Sequence, residues 1–390
     1  VADKANIFYA VASRLGSGGV GGIARQAVST LADAGRLHMA AAYGSAPDGV
    51  AAERFHSIKR PFRNPLAEKK RRRLKERLAF DSATREIIDG DGMELFHGWN
   101  ANCLDTIRAA KEHGITTIVE RASTHMKTQM RILREAYDSV GVDPGVIELD
   151  EVIERCVEEY GAADYVLVPS RFVYGTFVDE GFDAGRLILL PFGVDLEKFS
   201  PARKKPETPT FLFCGRIGIR KGVHHLLEAW KKAAIRGARL VLVGNVDPEF
   251  RFAFATVADD PCVEVLSYSG DMPALYRSAT AFVLPTLEEG SALVAYEAMA
   301  SGLPLITTER AGSVARDGAE AVMVSPGDVD GLAKALTDAA ANPGRMEEMG
   351  AAARKRALEF SWERYRQRLI TVYDSVLDGA GPVPLPDGVD

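Results

Sequence analysis

The chain has 390 residues, 46% hydrophobic, 26% charged and 8% aromatic, which are ordinary globular values. They exclude disorder, collagen and coiled coil as descriptions of the whole, and at roughly 100–200 residues per domain the length asks for two domains or three. The net charge of −6 argues against a general nucleic-acid binder, yet residues 59–77 hold ten Lys/Arg and only two Glu.

Short β-type runs alternate with longer helical patterns along the chain. Ala5–Ala12 reads as a strand, Gly21–Ala34 as a helix and Leu37–Tyr43 as a strand. Within the basic segment, Leu66–Ala79 would form a helix with one narrow apolar stripe and a broad cationic face, the pattern of a helix that lies on an anionic membrane surface. A solvated face or a grip on a pyrophosphate or anionic glycan is the alternative. Met93–His97 and Thr116–Val119 read as strands around a helix near Asn100–His113, and Tyr165–Pro169 and Leu187–Pro191 follow. The pattern then restarts, with strands at Thr210–Cys214, Ala238–Val243, Val263–Leu266, Ala281–Pro285 and Pro304–Thr307. Alternation of this kind predicts parallel sheets with helices on both faces.

The expected organisation is a Rossmann-like domain over residues 1–190, a linker rich in Pro and charge over 191–209, and a second Rossmann-like domain over 210–361. A terminal helix over 362–378 is expected to pack back toward the first domain, and residues 379–390 read as a disordered tail. Cys103, Cys156, Cys214 and Cys262 are far apart and read as reduced thiols. The first residues lack the character of a signal peptide, and no run reaches the ~18 apolar residues of a membrane span. The expected setting is cytoplasmic, soluble or peripheral at the inner face of the membrane.

Three strings carry chemistry. Ser17–Gly22, SGGVGG, follows the first strand and opens a helix, where backbone N–H groups can approach an anion. Gly16, Gly18 and Gly21 spell G-x-G-x-x-G, but no acid follows the second strand to hold a dinucleotide ribose. Phe213–Gly222 places Arg216 and Lys221 after the end of a strand, two cations suited to a diphosphate. Pro285–Ile306 places Glu289 in a loop and Glu297 within the next helix. A carboxylate in the loop can accept from sugar hydroxyls, one in the helix from a ribose diol, and the N–H groups between them can face phosphates. Asp89–Asp91 and Asp328–Asp330 match the D-x-D of metal-dependent transferases but read as turn and cap chemistry, and no cluster has metal-ligand spacing.

Together with PFGVDLEKF, LVLVGN and LYRSATAFVLP, these strings resemble the retaining glycosyltransferases of family 4 (glycosyl transferases group 1) over nearly the whole chain. The resemblance implies the GT-B fold: two doubly wound domains facing a central cleft. It implies a nucleotide-diphosphate-sugar donor, UDP ahead of GDP, held by Arg216 and Lys221 at the diphosphate, Glu289 at the sugar and Glu297 at the ribose. Gly18, Gly19, Gly290, Ser291, Ala292 and Leu293 complete the expected donor set. It implies transfer with retention to a glycan or lipid-linked acceptor bound by the first domain, with no metal and no cofactor. Where the family reads E-G-F-G this chain has Glu289-Gly290-Ser291-Ala292, which alters the contacts to the donor sugar. On the acceptor side Gly21, Trp99, Arg121 and His125 are candidates together with His97, and the residue that assists catalysis is left open among His97, Arg121 and His125.

Overall fold

The computed structural model describes residues 6–61, 68–143, 145–203, 206–251, 260–268 and 271–383. Two parallel sheets organise it. The first contains β1 (Ile7–Arg14), β2 (Leu37–Tyr43), β3 (Phe55–Ile58), β4 (Leu95–Trp99), β5 (Thr116–Glu120), β6 (Tyr165–Val168) and β7 (Leu187–Leu189), in the order 3-2-1-4-5-6-7. The second contains β8 (Thr210–Cys214), β9 (Arg239–Val243), β10 (Val263–Leu266), β11 (Ala281–Leu284), β12 (Leu305–Thr307) and β13 (Ala321–Met323), in the order 10-9-8-11-12-13. The strands are near-continuous apolar runs because helices cover both faces of each sheet.

Strand order reverses between β1 and β4 in the first sheet, and between β8 and β11 in the second. Ligands of open α/β sheets bind outside the carboxyl ends of the strands at such points. The reversal therefore selects four loops: those after β1 and β4, and those after β8 and β11. Three of them are the loops whose sequences carry glycines, cations or paired acids.

Several boundaries differ from the sequence expectation. The first strand runs to Arg14, past a register shift after Val11, so the loop before the helix Val20–Asp33 is shorter than expected. Strands β3 and β13 were not expected; each is an edge strand whose residues are only partly buried. The basic helix spans Lys69–Arg85 and buries Phe80, Asp81 and Thr84, while Leu78 stays exposed. Its predicted start falls partly on residues 62–67, which lie outside the described residues, as do 384–390 of the expected tail.

Residues 191–199 cross between the domains as packed chain. Phe192, Val194 and Phe199 are buried, and the Val194 N–H donates to the Phe360 carbonyl at 2.9 Å. Alongside, Ser361 caps the terminal helix Trp362–Leu377 by accepting from the Arg364 N–H. That helix buries Tyr365, Leu369, Val372, Tyr373 and Val376 at helical spacing. Its polar edge reaches the first domain: Arg366 donates to Gln26 at 2.8 Å, and Arg36 pairs with Asp374 at 2.6 Å.

Candidate functional site

The two loops of the second sheet are tied together before any ligand is considered. The Leu287 N–H and the Thr286 hydroxyl both donate to the Arg220 carbonyl, at 3.0 and 3.1 Å. Gly222 has a φ of +68° and lies so close to the Pro285 carbonyl that a Cβ would collide with it. A side chain there would meet both objections at once, strain and lack of room. The loop after β8 thus presents Arg216, Arg220 and Lys221 next to the acids of the loop after β11.

Charge is paired closely at this junction. The Lys221 ammonium contacts the Glu289 carboxylate. Arg220 donates to Glu288 at 2.8 Å and reaches Glu289 at 3.4 Å. Arg216 donates to Asp247 through Nε at 2.7 Å and keeps most of its side chain exposed. Burial first, and Arg220 second, pull the Lys221 pKa down to about 7, against an opposing pull from Glu288. Glu288 goes the other way: burial would raise its pKa, but Arg220 and hydrogen bonds from Ser123, Gln129 and Thr124 outweigh it and bring it to about 2.

Above this junction lies a cleft of about 420 Å³ between the domains. Its walls include Gly19, Val20 and Ile23 from the first domain and Gly215, Arg216, Lys221, Glu289, Ser291, Ala292, Leu293 and Glu297 from the second. A space of that size, with a few convergent charged groups on an apolar lining, suits a small polar ligand. Glu297, on the helix Leu293–Ala300, accepts from the Tyr276 hydroxyl at 2.8 Å, and burial raises its pKa. Ser291 shares a hydrogen bond with Tyr296 at 3.0 Å. At Gly18 and Gly19 an added Cβ would meet nothing within 4 Å, so open space lies before the helix Val20–Asp33.

Residues 208–342, most of the second domain, match the pattern of glycosyl transferases group 1. The chain carries a glycosyl transferases group 1 domain. The match agrees with the family read from the motifs. Over 243 residues the chain is 29% identical to an MMP alpha-(1->4)-mannosyltransferase of Mycolicibacterium hassiacum, covering 60% of this chain and 58% of that protein. Over 266 residues it is 28% identical to a D-inositol 3-phosphate glycosyltransferase of Segniliparus rotundus, covering 61% of this chain and 59% of that protein. The chain therefore spans less than two thirds of these relatives' lengths. Among solved structures, a sucrose-phosphate synthase from Thermosynechococcus elongatus superposes with a TM-score of 0.75 at 21% identity, over 96% of this chain and 100% of that one. Both halves of the chain thus take the GT-B arrangement.

Of the residues singled out in the sequence, the cleft gathers Gly19, Arg216, Lys221, Glu289, Ser291, Ala292, Leu293 and Glu297. Gly290 sits beneath it, its carbonyl accepting from Ser170 at 2.6 Å and its Cα against the Ala122 carbonyl. Gly21 is required by packing, since a Cβ would strike the Arg14 carbonyl and Ser17 Oγ.

The acceptor-side candidates are corrected by their surroundings. His97 is fully buried; Nδ1 lies 2.7 Å from the Tyr373 hydroxyl and Nε2 3.2 Å from Glu120, so the ring ties β4 to the terminal helix and does not line the cleft. Trp99 donates to Tyr9 at 2.6 Å. Arg121 donates to Thr124, Asn100 and Gln129 and is buried. His125 packs between Tyr160 and Phe177, and burial lowers its pKa to about 4. The two D-x-D strings are a turn and a cap: Asp89 accepts from the Asp91 N–H at 3.0 Å, and Asp328 from the Gly331 N–H at 2.8 Å. Among the described residues no group of three or more His, Cys, Asp or Glu could hold a metal ion.

Sequence reading missed Glu288, Arg220, Asp247 and Tyr276. The first two adjoin residues it did select, and adjacency was the available signal. Which of two neighbouring acids faces the cleft is a matter of loop conformation.

Proposed function

We propose that this protein is a retaining glycosyltransferase that moves a hexose or hexosamine from a nucleotide-diphosphate sugar, UDP-linked ahead of GDP-linked, to a glycan or lipid-linked acceptor of the cell surface. The observation that carries the reading is the Lys221–Glu289 pair at the floor of the interdomain cleft, with Arg216 beside it. Here Lys221 pairs with Glu289, and Arg216 with Asp247. A donor would separate them: its diphosphate takes Lys221 and Arg216, and its sugar hydroxyls take Glu289.

The chemistry follows from those placements. Breaking the bond between sugar and phosphate builds negative charge on the leaving diphosphate. Lys221 and Arg216 stabilise that charge as fixed cations already aimed at it, in a cleft with a largely apolar lining. Glu297 accepts from the ribose, and the N–H groups that open the helix Leu293–Ala300 face the phosphates. The leaving phosphate takes the proton of the attacking hydroxyl on the same face of the sugar, which retains the anomeric configuration. Two cations neutralise the diphosphate, so the proposed reaction proceeds without a divalent metal.

A panel of UDP-, GDP- and ADP-sugars scored by thermal shift identifies the donor, because a ligand that binds only the folded state raises the melting point by mass action. Transfer is then measured with Glu289→Gln and Lys221→Ala. Each should lower turnover roughly a hundredfold or more, the scale for removing one preorganised charge partner. Chelator should leave the wild-type rate unchanged. Donor binding without transfer or hydrolysis in the wild type would favour a non-catalytic binding protein. A second reading, transfer to a small-molecule acceptor, is supported by the similar protein whose name specifies D-inositol 3-phosphate; product analysis with soluble and lipid acceptors separates the two.

A further inference from the structure

At Glu288 both domains grip the same carboxylate. From the first domain, Ser123 donates to Oε1 at 2.6 Å, Thr124 at 2.8 Å, and Gln129 to Oε2 at 3.1 Å. From the second, Arg220 donates to Oε2 at 2.8 Å. The carboxylate is fully buried, and a buried charge is tolerated only when paired and hydrogen-bonded. Here the pairing requires the domains to be in contact. Separating them would leave the Arg220–Glu288 pair without its Ser123, Thr124 and Gln129 donors. Two neighbouring contacts close the same seam: Ser170 donates to the Gly290 carbonyl, and Gly290 lies against Ala122.

The arrangement continues to the cleft. Arg220, held by Glu288, also reaches Glu289, and Glu289 in turn contacts Lys221. On the other side Gln129 is oriented by Arg121, which donates to its Oε1 at 2.6 Å.

We propose that Glu288 is a positioning residue: it latches the first domain onto the donor loop and, through Arg220, sets the alignment of Glu289 and Lys221 only when the domains are closed. The positioning of Glu289 rests on the proposed transferase reading, whereas the latch does not. The latch makes turnover sensitive to groups in the first domain that line no part of the cleft.

The test uses the full chain with two kinds of substitution. The paired change Ser123→Ala with Gln129→Ala removes two of the three side chains of the first domain that donate to Glu288, Thr124 remaining, and leaves Glu288 with Arg220, so it preserves the buried ion pair. Glu288→Gln keeps an oxygen for Ser123 and Thr124 but removes the charge that holds Arg220. Small-angle scattering of the ligand-free protein should show a larger radius of gyration for the paired variant. Transfer, measured well below the melting point with the donor the panel selects, should lose kcat roughly tenfold in each variant, with donor KM changed by less than about twofold. Combining the substitutions should cost no more than the worse of the two, as expected for residues acting as one unit. A lower melting point with unchanged scattering and unchanged kcat would assign Glu288 to stability alone and overturn the proposal. If the wild type transfers no sugar, the functional reading falls, and scattering by itself decides the latch: expansion supports it, an unchanged profile overturns it.

Discussion

Lys221 is the residue at which charge, burial and function are most tightly bound. Its ammonium titrates near pH 7 in the empty cleft. A bound diphosphate favours the charged form and raises that pKa. Between the two values donor binding takes up a proton, so affinity falls as pH rises above about 7, by up to roughly tenfold per unit. Calorimetric titration in buffers of different ionisation enthalpy should show that proton uptake, and Lys221→Arg should abolish it. Glu288 has the opposite sign. Its folded pKa of about 2 lies below the ordinary value of 4.5, so its contribution to stability is present above pH 4.5 and lost as pH falls toward 2. Melting points measured down that range should drop, and Glu288→Gln should flatten the drop.

At the scale of elements, two contacts decide how rigidly the site is framed. The terminal helix is anchored by Tyr373, whose hydroxyl meets His97 inside the first domain. Tyr373→Phe leaves the buried imidazole nitrogen without that partner, a change worth about 1–3 kcal/mol in denaturant unfolding. The loop after β11 is anchored by Gly290, wedged between Ala122 and Gly312. Gly290→Ala places a methyl against the Ala122 carbonyl, and overpacking of this kind costs about 1–3 kcal/mol. Scattering should show the cleft forced open in that variant, because the collision crosses the domain seam. The departure from the E-G-F-G pattern falls just beyond this glycine, where Ser291 and Ala292 are buried and Ser291 bonds to Tyr296. The loop's first glycine is held by tertiary packing.

Across the whole molecule the charge is divided. Residues 1–140 carry +6 and residues 141–390 carry −12. The basic helix Lys69–Arg85 supplies most of the positive side, although Arg71 pairs with Glu151 and Arg77 with Glu148, both at 2.8 Å. Those two pairs withdraw part of the cationic face from any partner. Among the described residues no helix is long and apolar enough to cross a membrane. We propose that the remaining face docks on an anionic bilayer, where each Lys or Arg near the surface contributes about 1 kcal/mol. Co-sedimentation with vesicles containing phosphatidylserine at low salt should be strong, and should weaken with added salt as the charges are screened. Equal sedimentation with neutral vesicles would defeat the electrostatic reading, as would no loss on Lys69→Glu with Lys75→Glu.

Much of this was legible from residues in order. The alternation of short apolar runs with amphipathic stretches specifies a doubly wound architecture, because parallel strands buried on both faces need continuous hydrophobic sequence and helical crossovers. Arg216, Lys221 and Glu289 stood out because local spacing puts them on loops at strand ends, and Glu297 because it follows on the next helix. Strands β3 and β13 were hidden because each is a partly exposed edge strand whose pairing comes from its neighbour. The placement of His97, Arg121 and His125 was not legible either: a histidine or arginine at or near a strand end can face the cleft or the core, and the choice is made by packing partners such as Tyr373, Gln129 and Phe177. Sequence by itself determined the two parallel sheets and the loops on which the candidate residues sit. Only the tertiary structure decided which of two adjacent acids faces the cleft and which locks the domains, because that depends on four hydrogen-bond donors, on Ser123, Thr124 and Gln129, that lie more than a hundred residues away in the chain.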